Sequence, residues 1–112
     1  MLPLSFGALS PAVDLAEIQR RMDARFGARD RASGAPFLVL VLQEEVGELA
    51  EAVRKGDRAA AGAEAADVVF AALALANVVG ADVEAELVRK FLDRPKGAVS
   101  ASWTDLPPEG GA

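Results

Sequence analysis

Five carboxylates stand where a soluble helix should be apolar. Glu44, Glu45 and Glu48 lie in an apolar segment running from Leu38 to Asp57, and Glu64 and Asp67 lie in an Ala-rich segment just after it. Both segments carry helical periodicity. At ~100° per residue, Leu38, Leu49 and Leu42 fall ~20°, ~40° and ~60° from Glu45, so Glu45 sits within the apolar arc. Glu48 and Glu44 lie on one edge of that arc, and Glu64 and Asp67 share a sector with Ala60, Ala71, Ala74 and Val78. Acids three residues apart are neighbours on a helix surface. Carboxylates on a packed face are costly without a cation, and each raises the pKa of the next. Arg54, Lys55 and Arg58 fall at helix ends and a turn, poorly placed to neutralise the middle of both helices. A hard divalent cation with oxygen ligands fits better. With no His and no Cys in the chain, Mg²⁺ or Mn²⁺ is favoured over zinc or copper. Each acidic run alone also suits a solvated helix; the specific feature is two such runs joined by a short turn.

The elements that must position these acids are all helical. Ser10-Pro11 reads as a helix start, with Asp14 and Glu17 near the positive end of the dipole. Val13, Leu15, Ile18, Met22 and Phe26 recur at helical spacing, Gly27 reads as the end, and residues 28–35 read as a charged loop. A second helix runs from about Pro36 to Lys55, with Gly56 as its stop and Asp57 as the cap of the next. The third runs from about Arg58 to Val79, is apolar almost all round and so is expected to be buried on most sides. Gly80 ends it. Asp82 caps a fourth, shorter helix through about Leu92, and Pro95 stops it. Residues 97–112 read as a mostly irregular tail, with Trp103 as an anchor. The expectation is a single all-α domain over 1–112: a bundle of about four helices with a core at 12–96 and the site between the two acidic helices.

Composition narrows the function. In 112 residues the net charge is −5, which argues against a nucleic-acid binder built on a large basic surface. The missing Cys and His remove disulfides, thiol nucleophiles and imidazole bases. No signal peptide is read at the N-terminus, and the apolar run Val68–Val79 is interrupted by Asn77 and shorter than the ~20 residues of a membrane span. A cytoplasmic protein that does not engage membranes is expected.

The acids in their order, Glu44-Glu45-Val46-Gly47-Glu48, a turn, then Glu64-Ala65-Ala66-Asp67, resemble the motif of the MazG-like all-α nucleoside triphosphate pyrophosphohydrolases. The likeness covers roughly residues 12–96. It implies Glu45, Glu48, Glu64 and Asp67 as metal ligands, with Glu44 as a further ligand or as the group that deprotonates the attacking water. It implies cleavage of a nucleoside triphosphate between the α and β phosphates, Mg²⁺ dependence with Mn²⁺ as substitute, and a homodimer or homotetramer that completes the site. Lys90 and Arg94 match a family pair that meets substrate phosphates; they equally suit ordinary charge at a helix end. Asn77 is a candidate base or sugar contact, or a satisfied polar group at a packed interface. With five Phe, one Trp and no Tyr, base selectivity is hard to assign. The alternatives are a phosphoribosyl-ATP pyrophosphohydrolase of the same superfamily and a non-catalytic helical oligomerisation module.

Overall fold

The computed structural model describes residues 12–94, so Ser10, Pro11, Pro95 and the tail with Trp103 lie outside the described residues. Helix α1 spans Leu15–Ser33. Asp14, expected inside the helix, is its cap: the carboxylate accepts from the Glu17 N–H at 2.8 Å. The helix does not stop at Gly27, and most of the expected loop is its last turns. Gly27 is buried in mid-helix, where a Cβ would collide with Asp23 and Arg31. Those two side chains pair across it at 2.7 Å. Glycine thus makes room for an ion pair, and termination falls to Gly34, whose φ of +90° other residues rarely adopt.

Gly34 alone separates α1 from α2 (Ala35–Arg54), which starts with Pro36 in its first turn. Gly56 turns the chain with φ +72° and Asp57 caps α3 (Arg58–Val79), accepting from the Ala60 N–H at 3.0 Å. Gly80 closes α3, its N–H donating to the Ala76 carbonyl at 2.8 Å. Asp82 caps α4 (Val83–Leu87) through the Ala85 N–H at 3.0 Å. The expected regular helix to about Leu92 instead widens into a π-helical turn over Val88–Leu92, closed by the Asp93 N–H on the Val88 carbonyl at 2.9 Å. Among the described residues there is no strand, and the fold is all-α.

The chain divides into two units, one through Ala81 and one from Asp82. In the first, α3 is the common partner, packing most extensively on α2 and then on α1. A short turn makes α2 and α3 antiparallel neighbours. The core is small: Met22 of α1, Leu38 and Ala52 of α2, and Ala71, Leu73, Ala74 and Ala76 of α3. Phe26 meets Phe70 edge to face at 5.4 Å between ring centres. The end of α3 is tied to α1 by a polar knot. Gln19 Nε2 donates to Asn77 Oδ1 at 3.0 Å and to the Ala81 carbonyl at 2.7 Å, and Asn77 Nδ2 donates to the Gln19 carbonyl at 3.2 Å.

α3 is less covered than its composition suggests. Val69, Phe70 and Val79 are exposed. By length and composition it is the one described helix apolar enough to cross a membrane, yet only 22 % of its most apolar window is buried in the single chain. Glu64 and Asp67 interrupt it near the middle.

Candidate functional site

The helical hairpin α2–α3 brings acids from its two arms together. One carboxylate oxygen each from Glu45, Glu48 and Glu64 lies within 4.8 Å of the others. Glu45 and Glu64 are half-buried and Glu48 is exposed. One oxygen of Glu45 and one of Glu64, both Oε1, are buried without a hydrogen-bond partner among the described residues. Partial burial, then the carboxylates of Glu48, Asp67 and Glu64, push the Glu45 carboxyl above the ordinary glutamate range. Burial, then Glu48 and Asp67, does the same to Glu64. Asp67 therefore lies within electrostatic reach of both arms, at the edge of the three-residue cluster. Glu44 is exposed and lines the adjoining cavity.

This cluster fits a hard divalent cation on its own chemistry. The donors are all carboxylate oxygens, two of them are buried and unpartnered, and the charges oppose one another until a cation arrives. Two basic side chains of the hairpin end are engaged by Glu51, which accepts from Arg54 at 2.7 Å and pairs with Lys55 at 3.2 Å.

Two cavities flank the acids. One, of about 420 Å³, runs toward the α2–α3 turn and is lined by Glu44, Gly47, Glu48, Glu51, Ala52, Lys55, Asp57, Ala60 and Glu64. Lys55, which sequence reasoning placed too far from the acids, is the one cation on its wall. Gly47 faces open space: a Cβ there would meet nothing within 4 Å. The other, of about 340 Å³, lies one turn away on the far side, among Arg29, Asp30, Ser33, Phe37, Leu38, Val41, Phe70, Ala71 and Ala74. Arg29 and Asp30 were hidden from sequence reasoning by the expectation of a loop at 28–35. The signal that could have found them is the i, i+3 and i, i+4 continuation of α1 through Asp23, Gly27, Asp30 and Arg31.

Asn77, Lys90 and Arg94 are not among the three residues whose carboxylates meet. The Asn77 amide is engaged by α1 through Gln19, at the far end of α3. Lys90 lies in the π turn of the second unit, its Nζ 5.4 Å from the centre of the Phe91 ring. Arg94 follows the Asp93 cap and lies beyond the last helical residue, Leu92.

No curated protein and no solved structure matches the chain significantly. A family model does, the MazG nucleotide pyrophosphohydrolase domain, over residues 36–98, a span that holds α2, the turn, α3 and α4 and more than half of the chain. On that match, with a fold that is all-helical among the described residues, the chain belongs to the MazG nucleotide pyrophosphohydrolase family.

Proposed function

We propose that this protein is a Mg²⁺-dependent hydrolase of nucleoside triphosphates, cutting between the α and β phosphates to release a monophosphate and pyrophosphate. The observation that carries this reading is the acid cluster of Glu45, Glu48 and Glu64, with two buried unpartnered oxygens, set between two cavities. Glu45, Glu48, Glu64 and Asp67 would hold the metal. Bound there, Mg²⁺ supplies neutralisation of phosphate charge and a water of lowered pKa. Glu44, exposed beside the cluster, orients the attacking water and takes its proton. The cavity toward the turn receives the leaving phosphates, and Lys55 on its wall offsets their charge.

Self-association accompanies this reading. Among the described residues the buried apolar core is three large side chains and four alanines, slight for a helical domain, and small domains often gain stability by oligomerisation. The uncovered apolar faces of α2 and α3, including Leu40, Val46, Val53 and Val69, are where a second copy would dock to make a homodimer or homotetramer.

The test is product analysis. The protein is incubated with Mg²⁺ and canonical and altered nucleoside triphosphates, and products are separated. Monophosphate with pyrophosphate, abolished by chelation, is expected. Diphosphate with orthophosphate, or turnover unaffected by chelator, would overturn the reading.

A further inference from the structure

We propose that the smaller cavity, lined by Phe37, Val41, Phe70 and Ala71 with Asp30 and Arg29 in its wall, receives the base of the nucleotide, and that Asp30 selects bases carrying an exocyclic amine. The inference rests on the triphosphate reading above and specifies its substrate class.

Three observations carry it. The first is an unsatisfied acceptor. Asp30 is 1 % exposed, and its Oδ1 accepts two N–H groups from the neighbouring Arg29, at 3.2 and 3.0 Å. Its other oxygen, Oδ2, is buried and has no partner among the described residues. A buried carboxylate oxygen without a donor is costly, and an N–H delivered from the cavity would complete it.

The second is the wall. Phe37, Leu38, Val41 and Phe70 offer flat and aliphatic surface, and Phe37 is 54 % exposed although large and apolar. Phe70 meets Phe26 edge to face, and the Arg29 guanidinium lies over the Phe26 ring, 4.7 Å from its centre. A volume of about 340 Å³ falls in the range of small-molecule sites, which pair apolar walls with a few placed polar groups.

The third is register. Val41 precedes Glu45 by one turn of α2, and Ala71 follows Asp67 by one turn of α3. The cavity therefore begins ~6 Å along the hairpin from the acids. That is the kind of gap a pentose fills between a base and its α-phosphate.

The acceptor's depth sets the preference. Cytosine, adenine and guanine carry an amine that projects beyond the ring toward Oδ2, which is recessed behind the wall that Asp30 helps to form. Uracil and thymine offer only a ring N–H recessed between two carbonyl oxygens, which would meet the Asp30 carboxylate first. Arg29 beside Oδ1 suits the ring nitrogen or carbonyl acceptor that flanks each of those amines.

The experiment is kcat/KM, with Mg²⁺, on two matched pairs: cytidine against uridine triphosphate, and adenosine against inosine triphosphate. Each pair differs by an amine replaced with a carbonyl. The amine member is expected to lead by about tenfold or more, as sites built to hydrogen-bond a substrate group reject analogues lacking it. In Asp30→Asn, whose amide can donate to a carbonyl, the ratio is expected to fall toward or below one. Equal rates within both wild-type pairs would overturn the proposal, and an unchanged ratio in a folded Asp30→Asn would overturn the role of Asp30. A second measurement needs neither turnover nor a variant. Cytidine and uridine monophosphates are titrated into chelator-treated wild-type protein while amide resonances are followed by NMR. Larger shifts at Phe37, Val41 and Phe70 with the cytidine compound support the cavity even if no triphosphate is hydrolysed, an outcome that would sink only the hydrolase reading. Absence of shifts there overturns the base site.

Discussion

Replacing Asn77 with Ala separates the two roles open to this residue. In the structure its amide makes two hydrogen bonds to α1, one to the side chain and one to the carbonyl of Gln19. Gln19 is itself buried and keeps its bond to the Ala81 carbonyl when Asn77 is truncated. Two net hydrogen bonds at ~1 kcal/mol each give an expected loss of ~2 kcal/mol. For a chain of this size that lowers the melting temperature by roughly 10 °C. The assay is urea denaturation followed by circular dichroism, with kcat and KM measured well below the melting range. The midpoint should fall with an unchanged m-value, and KM should hold within about threefold. A double-mutant cycle with Gln19→Ala should show coupling of ~1–2 kcal/mol, since the partners share one knot. An unchanged midpoint with a tenfold rise in KM would refute this and return Asn77 to the substrate.

Four further outcomes follow from the same structure. Glu45→Gln should stay folded, lose metal-dependent turnover and lose the rise in melting temperature that Mg²⁺ gives the wild type; retained turnover would remove Glu45 from the metal site. Glu45 and Glu64 hold their protons to higher pH in the folded chain than in the unfolded one, so in chelator the unfolded state ionises first and stability should decline as pH rises above the ordinary glutamate range. Melting curves across pH with and without Mg²⁺ check this, and a metal-free stability that climbs between pH ~5 and ~7 contradicts it. Leu73→Ala, at a site 2 % exposed, should cost ~2–5 kcal/mol in urea titrations. Gly47→Ala should gain ~0.5–1 kcal/mol, because a helical Cβ there meets open space, while lowering kcat/KM if phosphate approaches that wall; a destabilised variant would show that the space is already filled.

What could be read from the sequence follows from how local each signal is. The ends of α2 and α3 were legible within a residue because Gly56, Asp57 and Gly80 are punctuation whose meaning depends on adjacent backbone alone. Glu45 and Glu64 were legible as partly covered acids because helical phase is also local, whereas Glu44, Glu48 and Asp67, expected on the same faces, are exposed, since phase does not report how far a neighbouring helix reaches. Gly27 misled for the opposite reason. It resembles a helix stop, but its cause is a long-range side-chain pair, Asp23 with Arg31, that passes over it. That error concealed the wall of the smaller cavity, since Arg29 and Asp30 matter only once α1 is known to continue. The π turn at Val88–Leu92 was equally out of reach, because nothing in "VRKFL" distinguishes one extra residue per turn. The partnership of Gln19 with Asn77 joins positions far apart in the chain, which no periodicity reports.

The three-residue connection between α2 and α3 bears on how the protein reaches its native state. Every acid of the cluster belongs to one helical hairpin, so their meeting requires closure of a short loop and no distant contact. Chains dominated by local contacts fold fast, and short loops cost little entropy to close. The hairpin is therefore formed early, and in the absence of metal its closure is opposed by the very carboxylates it brings together. A divalent cation would act on that early step. Its expected kinetic signature is a faster refolding limb, with the unfolding limb changed less.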